Sequence, residues 1–123
     1  MDATGGKLDL LLLGAGPDGH TCSLFPGHAL LSEPAPPAGR TVAHITDSPK
    51  PPAERVTLTL PVVNSAACCV FAAVGAGKAG MVHQLLGEQE PATPTDLPAR
   101  MVKPGKGELY WIIDSAAAAQ LNL

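Results

Sequence analysis

Apolar positions fall along this chain in short blocks cut apart by glycine and proline, and the blocks follow two different periods. Residues 10–13 are an unbroken leucine run that stops at Gly14. Such a run predicts a strand buried on both faces, as in the middle of a parallel sheet. Residues 55–60, RVTLTL, alternate apolar positions with threonine, which predicts a strand nearer the sheet edge with one less buried face. Residues 42–46 read as a further short strand, residues 68–74 as a second strongly apolar one, and residues 109–113 as the last.

The segments between these strands carry helical or turn signals. Residues 21–25 predict a short helix ended by Pro26-Gly27, and residues 61–66 a helical turn. In residues 79–86, Val82, Leu85 and Leu86 share a helical face, and Gly87 marks the stop. Asp114-Ser115 is placed to cap an alanine-rich helix beginning at Ala116. Residues 33–39 (EPAPPAG), 47–52 (DSPKPP) and 90–98 read as surface connections. Strands separated by helices and long crossovers predict a parallel α/β sheet, with ligands at the carboxyl ends of its strands. The glycine loops after Leu13 and Val74 lie at two such ends.

Composition narrows the function classes. With 123 residues, 46% of them apolar, the chain has material for one core and one domain. Eight basic and eleven acidic residues give a net charge of −3, so no basic face neutralises a nucleic acid, and an aromatic content of 3% leaves no base-stacking platform. No apolar run is long enough for a bilayer, and residues 1–6 are neither cationic nor apolar as a signal peptide would be; the expectation is a soluble, cytosolic protein. Cys22, Cys68 and Cys69 are odd in number and two are adjacent, which argues against a disulfide framework and for small buried hydrophobes. His28, His44 and His83 have no ligand spacing, so no metal is expected.

The chemistry concentrates in residues 14–20, GAGPDGH. Gly14-Ala15-Gly16-Pro17-Asp18-Gly19 satisfies the GxGxxG pattern of dinucleotide loops. That pattern also requires a long helix and an acidic residue ending the next strand, whereas Pro26-Gly27 stops the helix here and Glu33 falls in a proline loop. A second reading is a plain glycine corner whose Asp18 caps the short helix. A third is that the loop aims His20, with Asp18 two residues away orienting it for proton transfer. Spacing alone leaves the three open. Cys22, near the expected helix start, reads either as a nucleophile or as a buried thiol.

GAGPDGHTCSLFPGH, residues 14–28, resembles the signature segment of the 6-phosphogluconolactonase family, within the wider sugar-phosphate isomerases. DSPKPPAERVTLTLPVVNSA (residues 47–66), the glycine-lysine loop (residues 74–78) and ELYWIIDSAAA (residues 108–118) are similar to further blocks of that family. The related glucosamine-6-phosphate deaminases share Asp-Gly-His but differ over residues 21–26, which favours the lactonase branch. Family members are considerably longer, and the chain resembles their C-terminal half only.

The resemblance implies a three-layer αβα fold with a mainly parallel Rossmann-like sheet, truncated at its N-terminus, so that residues 1–123 form one partial domain. It implies hydrolysis of 6-phospho-D-glucono-1,5-lactone in the oxidative pentose phosphate pathway, with no metal and no cofactor. His20 would be the general base or acid and Asp18 its helper. Backbone N–H groups of the loop, at Gly16 and Gly19, would meet substrate or its developing oxyanion. Lys78 is the leading phosphate-binding residue, although Ala79 stands where a P-loop needs a hydroxyl; Lys50 and Arg55 flank the other phosphate-side segment. The expected partner is a small sugar phosphate, with no nucleic acid and no membrane. Half a sheet exposes apolar strand edges, so self-association is expected, and an inactive fragment that only binds sugar phosphate is the alternative to the enzyme.

Overall fold

The computed structural model describes residues 6–87 and 97–121. Five strands form: β1 (Leu11–Leu13), β2 (Val42–Ile45), β3 (Arg55–Leu58), β4 (Cys68–Ala73) and β5 (Glu108–Ile113). The helices are α1 (Leu60–Val63), α2 (Ala79–Leu86) and α3 (Pro98–Met101), with 3-10 turns at Ala29–Ser32 and Ala76–Lys78. β1, β4 and β5 make a parallel sheet with β4 in the centre. β2 and β3 pair antiparallel as a separate two-stranded ribbon, an arrangement the strand-by-strand sequence reading did not foresee.

Register sorts the side chains of the parallel sheet onto two faces. Leu13, Phe71 and Trp111 lie side by side, as do Leu11, Cys69 and Leu109. Cys69, Phe71 and Ala73 are buried on this face, and Phe71 stacks on Trp111 with ring centroids 4.2 Å apart. Val82, Met81 and Leu85 of α2, Val63 of α1, and Leu24 and Phe25 of the loop after β1 belong to the same core. Each large side chain removed from water here contributes roughly 1.5–3 kcal/mol.

The opposite face carries Leu12, Val70 and Tyr110 in one row and Ala72 and Ile112 in the next. Leu12 is 77% exposed and Ile112 60%. The expectation that residues 10–13 are buried on both faces is therefore corrected: β1 is an edge strand, and among the described residues nothing covers its second face. An unbroken leucine run reports apolar surroundings on both sides only if both are supplied.

Other local expectations also changed. Residues 21–25 form no helix: Thr21 and Leu24 make an isolated bridge, and Cys22 takes a left-handed φ of 52°. The strand expected over residues 55–60 ends at Leu58, because Leu60 already opens α1 with Pro61 in its first turn. On α2 the buried set is Ala79, Met81, Val82 and Leu85, while Leu86 is exposed. After β5, Asp114 does cap the following segment by accepting from Ala117 N–H at 2.8 Å, but that segment is a series of turns. The same carboxylate accepts from Gly75 N–H at 3.0 Å and so joins the ends of β4 and β5; these bonds hold its pKa below the ordinary range. Residues 33–40 are clasped by Arg40, whose Nε and Nη2 donate to the two oxygens of Glu33 at 2.9 and 2.8 Å. Most of the connection expected over residues 90–98 lies outside the described residues, and its last residue, Pro98, opens α3. No helix of the described residues is long and apolar enough to cross a membrane.

Candidate active site

The loop after β1 closes on itself. Gly19 N–H donates to Gly16 O and Gly16 N–H to His20 O, both at 2.9 Å. Gly19 has φ +86°, open to glycine at little cost. Thr21 anchors the far side of the turn, its hydroxyl donating to Gly14 O at 2.8 Å. Gly19 O accepts from Ala99 N–H at 2.9 Å, which fixes the loop against α3. A Cβ at Gly16 would overlap Cε1 and Nδ1 of His20 and approach Asp18 Oδ1 at 3.0 Å. Gly16 is thus the flat surface on which the imidazole rests.

Asp18 holds His20 at two points. Its Oδ1 accepts from His20 N–H at 3.1 Å and meets Nδ1 of the ring at 2.5 Å. Burial pushes the Asp18 carboxyl up, but the hydrogen bonds from the His20 ring and backbone, with the charges of His20 and Lys50, outweigh it and leave the pKa below its ordinary value. An ionised carboxylate only accepts, so Nδ1 is the protonated nitrogen and Nε2 of the neutral ring carries the free lone pair. The imidazole is 18% exposed, partly buried yet reachable from solvent. Aiming His20 is the reading the geometry supports. With no helix after the loop, neither a cap for Asp18 nor a dinucleotide's pyrophosphate site exists here.

The expected cations are distributed unequally. Lys78, at the end of the 3-10 turn after β4, donates from Nζ to Ala15 O at 3.1 Å and so reaches the His20 loop from a second strand end. Lys50 is exposed on the loop before β3, near enough for its charge to act on Asp18. Arg55 donates to the carbonyls of Lys50, Pro51 and Pro52. Gly16 and Gly19, expected to offer N–H groups to the substrate, are buried with those N–H groups donating to His20 O and Gly16 O inside the loop. Their contribution is the shape of the turn. Burial pushes the Cys22 thiol up, the opposite of an activated nucleophile.

Two residues of this neighbourhood were not among the candidate site residues of the sequence. Phe25 packs against the His20 ring at 4.7 Å between centroids. Thr57 accepts from the buried Ser23 N–H at 3.1 Å. The alternation in RVTLTL placed Thr57 on one face of its strand; what that face meets is tertiary information. His28 caps the 3-10 turn Ala29–Ser32 by accepting from Leu30 N–H at 3.0 Å, and its Nε2 meets Asp47 at 2.9 Å.

Residues 2–111 match the family model described as glucosamine-6-phosphate isomerases/6-phosphogluconolactonase. The chain is 56% identical over 115 residues to the 6-phosphogluconolactonase of Rattus norvegicus and 53% identical to that of Homo sapiens. Each alignment takes in 94% of this chain and 42% of the relative, so the chain spans about two fifths of the length of the curated relatives it matches. Among solved structures it superposes on 6-phosphogluconolactonase from Trypanosoma cruzi with a TM-score of 0.75 at 30% identity, covering 95% of this chain and 42% of that one. A structure described as devB protein gives a TM-score of 0.75 at 33% identity, covering 93% and 44%.

Proposed function

The chain belongs to the family of glucosamine-6-phosphate isomerases and 6-phosphogluconolactonases, and from that premise we propose that it carries the proton-transfer centre for opening 6-phosphogluconolactone with water. The observation that carries this reading is the Asp18–His20 pair on its glycine turn, with Nε2 of His20 left as a base. Nε2 takes a proton from water as the water oxygen bonds to the lactone carbonyl carbon. The tetrahedral intermediate collapses, the bond from that carbon to the ring oxygen breaks, and the imidazolium returns its proton to that oxygen. The product is an open-chain hydroxy acid, whose new carboxyl group then releases its remaining proton to solvent and leaves as the carboxylate. One positioned base supplies roughly 10²- to 10⁴-fold of such a reaction.

Lys78 and Lys50 supply positive charge on two sides of the loop, which suits a phosphorylated sugar on a protein of net charge −3. The test is lactone hydrolysis by the 123-residue chain beside its His20→Gln variant, corrected for spontaneous opening. A loss of about 10²-fold or more is expected in the variant. Equal catalysed rates would remove His20 from the mechanism.

A further inference from the structure

The His20 ring is bounded on three sides, by the Gly16 backbone, by Asp18 and by Phe25. Phe25 is 2% exposed and cannot move without disturbing the core. On that ring lies Arg55, its Cζ 5.5 Å from the centroid. The same guanidinium donates from Nε to Pro52 O at 3.0 Å and from Nη2 to Lys50 O and Pro51 O at 3.1 Å. Three of the five N–H donors of an arginine are then engaged by its own loop. Two residues along, on the same face of β3, Thr57 holds the Ser23 N–H. β3 therefore grips the segment carrying Phe25 at two points and the segment carrying Lys50 at one.

We propose that Arg55 is a positioning residue: its guanidinium spans the Lys50 loop and the Phe25 ring, and through Phe25 it confines the His20 imidazole to the orientation in which Nε2 faces the substrate. This rests on reading His20 as the base and Lys50 as a phosphate contact, and it reassigns Arg55, expected from its place in the sequence to bind phosphate. A phosphate ligand and a clamp of this kind respond differently to lysine. Lysine keeps the point charge a phosphate needs but cannot fork across several carbonyls.

The test uses the 123-residue chain, with the imidazole proton–nitrogen signals of His20 followed by NMR and the dissociation constant for 6-phosphogluconate measured by titration. Arg55→Ala, Arg55→Lys and Phe25→Leu are each expected to turn the single set of His20 signals into several sets or a broadened one, while affinity changes by less than about threefold. Lys50→Ala is expected to weaken binding by about tenfold, as loss of a charge-assisted contact does, with the His20 signals intact. Arg55→Ala weakening 6-phosphogluconate tenfold with unchanged His20 signals, and rescue by Arg55→Lys, would establish a phosphate ligand and overturn the proposal. Unchanged signals and unchanged affinity would overturn it equally. Should Arg55→Ala lose its fold by circular dichroism, Phe25→Leu decides alone: an unperturbed His20 refutes the clamp. If Lys50→Ala and the wild type bind 6-phosphogluconate alike, the phosphate reading fails, and the His20 signals still judge Arg55.

Discussion

The His20 loop and the open face of the sheet lie at opposite ends of a scale of self-sufficiency. In the loop, Gly14, Gly16, Asp18, Gly19, His20, Thr21 and Ser23 all find polar partners, most within a few residues and the rest on β3 and α3. On the sheet, Leu12, Tyr110 and Ile112 stand in registered rows with solvent where apolar neighbours belong. The loop's geometry is thus encoded locally, whereas the sheet needs a surface that the described residues do not supply. Over a span of about two fifths of its relatives' length, the His20 loop is held by its own bonds while one face of the sheet is uncovered among the described residues.

The contrast is broken most forcefully from the core side. Phe71, buried in the central strand and stacked on Trp111, is the pivot of the covered face, and Phe71→Ala should cost about 3–5 kcal/mol, read from urea unfolding. A much smaller loss would mean that the covered face is no better packed than the open one.

Next in size is Gly16→Ala, which tests the claim that the loop's geometry is local. Its methyl must displace the His20 ring, and if His20 is the proposed base a displacement near 1 Å should lower the rate of lactone opening by about 10²-fold. Stability should change far less than activity. Activity retained in full would show that the imidazole does not rest on Gly16.

A pH series sharpens the same side. The Asp18 carboxyl has a folded-state pKa below its ordinary 3.8, so its ionised form stabilises the fold above that value, and the contribution fades as pH falls through the lowered pKa. From about pH 5 downward, the margin in urea midpoint by which wild type exceeds Asp18→Asn should shrink as the carboxylate takes up its proton. A margin that widened with acid would reverse the assignment.

The smallest effect is expected on the open face. Ile112→Ser should alter unfolding free energy by no more than about 0.5 kcal/mol, as at a surface site, while lowering concentration-dependent association in sedimentation. A loss comparable to that of Phe71→Ala would reveal that the face is covered in solution.

How much of this was legible beforehand depended on the range of the interaction. The strands, α2 with its stop at Gly87 and the capping role of Asp114 followed from short-range pattern and turn chemistry. The pairing of Asp18 with His20, two residues apart, was one of the three readings that spacing left open. The antiparallel pairing of β2 with β3, the loss of the helix over residues 21–25 and the reach of Lys78 to Ala15 depend on partners far along the chain. Leu12 was misjudged because an apolar run specifies what a strand prefers, and solvent exposure is decided by its neighbours. The contacts of Arg55 were hidden for a related reason: that the carbonyls of Lys50, Pro51 and Pro52 turn toward a cation beside a proline loop is not written in the spacing.

The central claim is that Asp18 fixes the protonation of His20 so that Nε2 is free to accept a proton. Nitrogen-15 shifts of the His20 ring, recorded where the imidazole is neutral, test it most directly. The geometry predicts a protonated Nδ1 bonded to Asp18 and a bare Nε2. A proton found on Nε2, with Nδ1 bare, would contradict it.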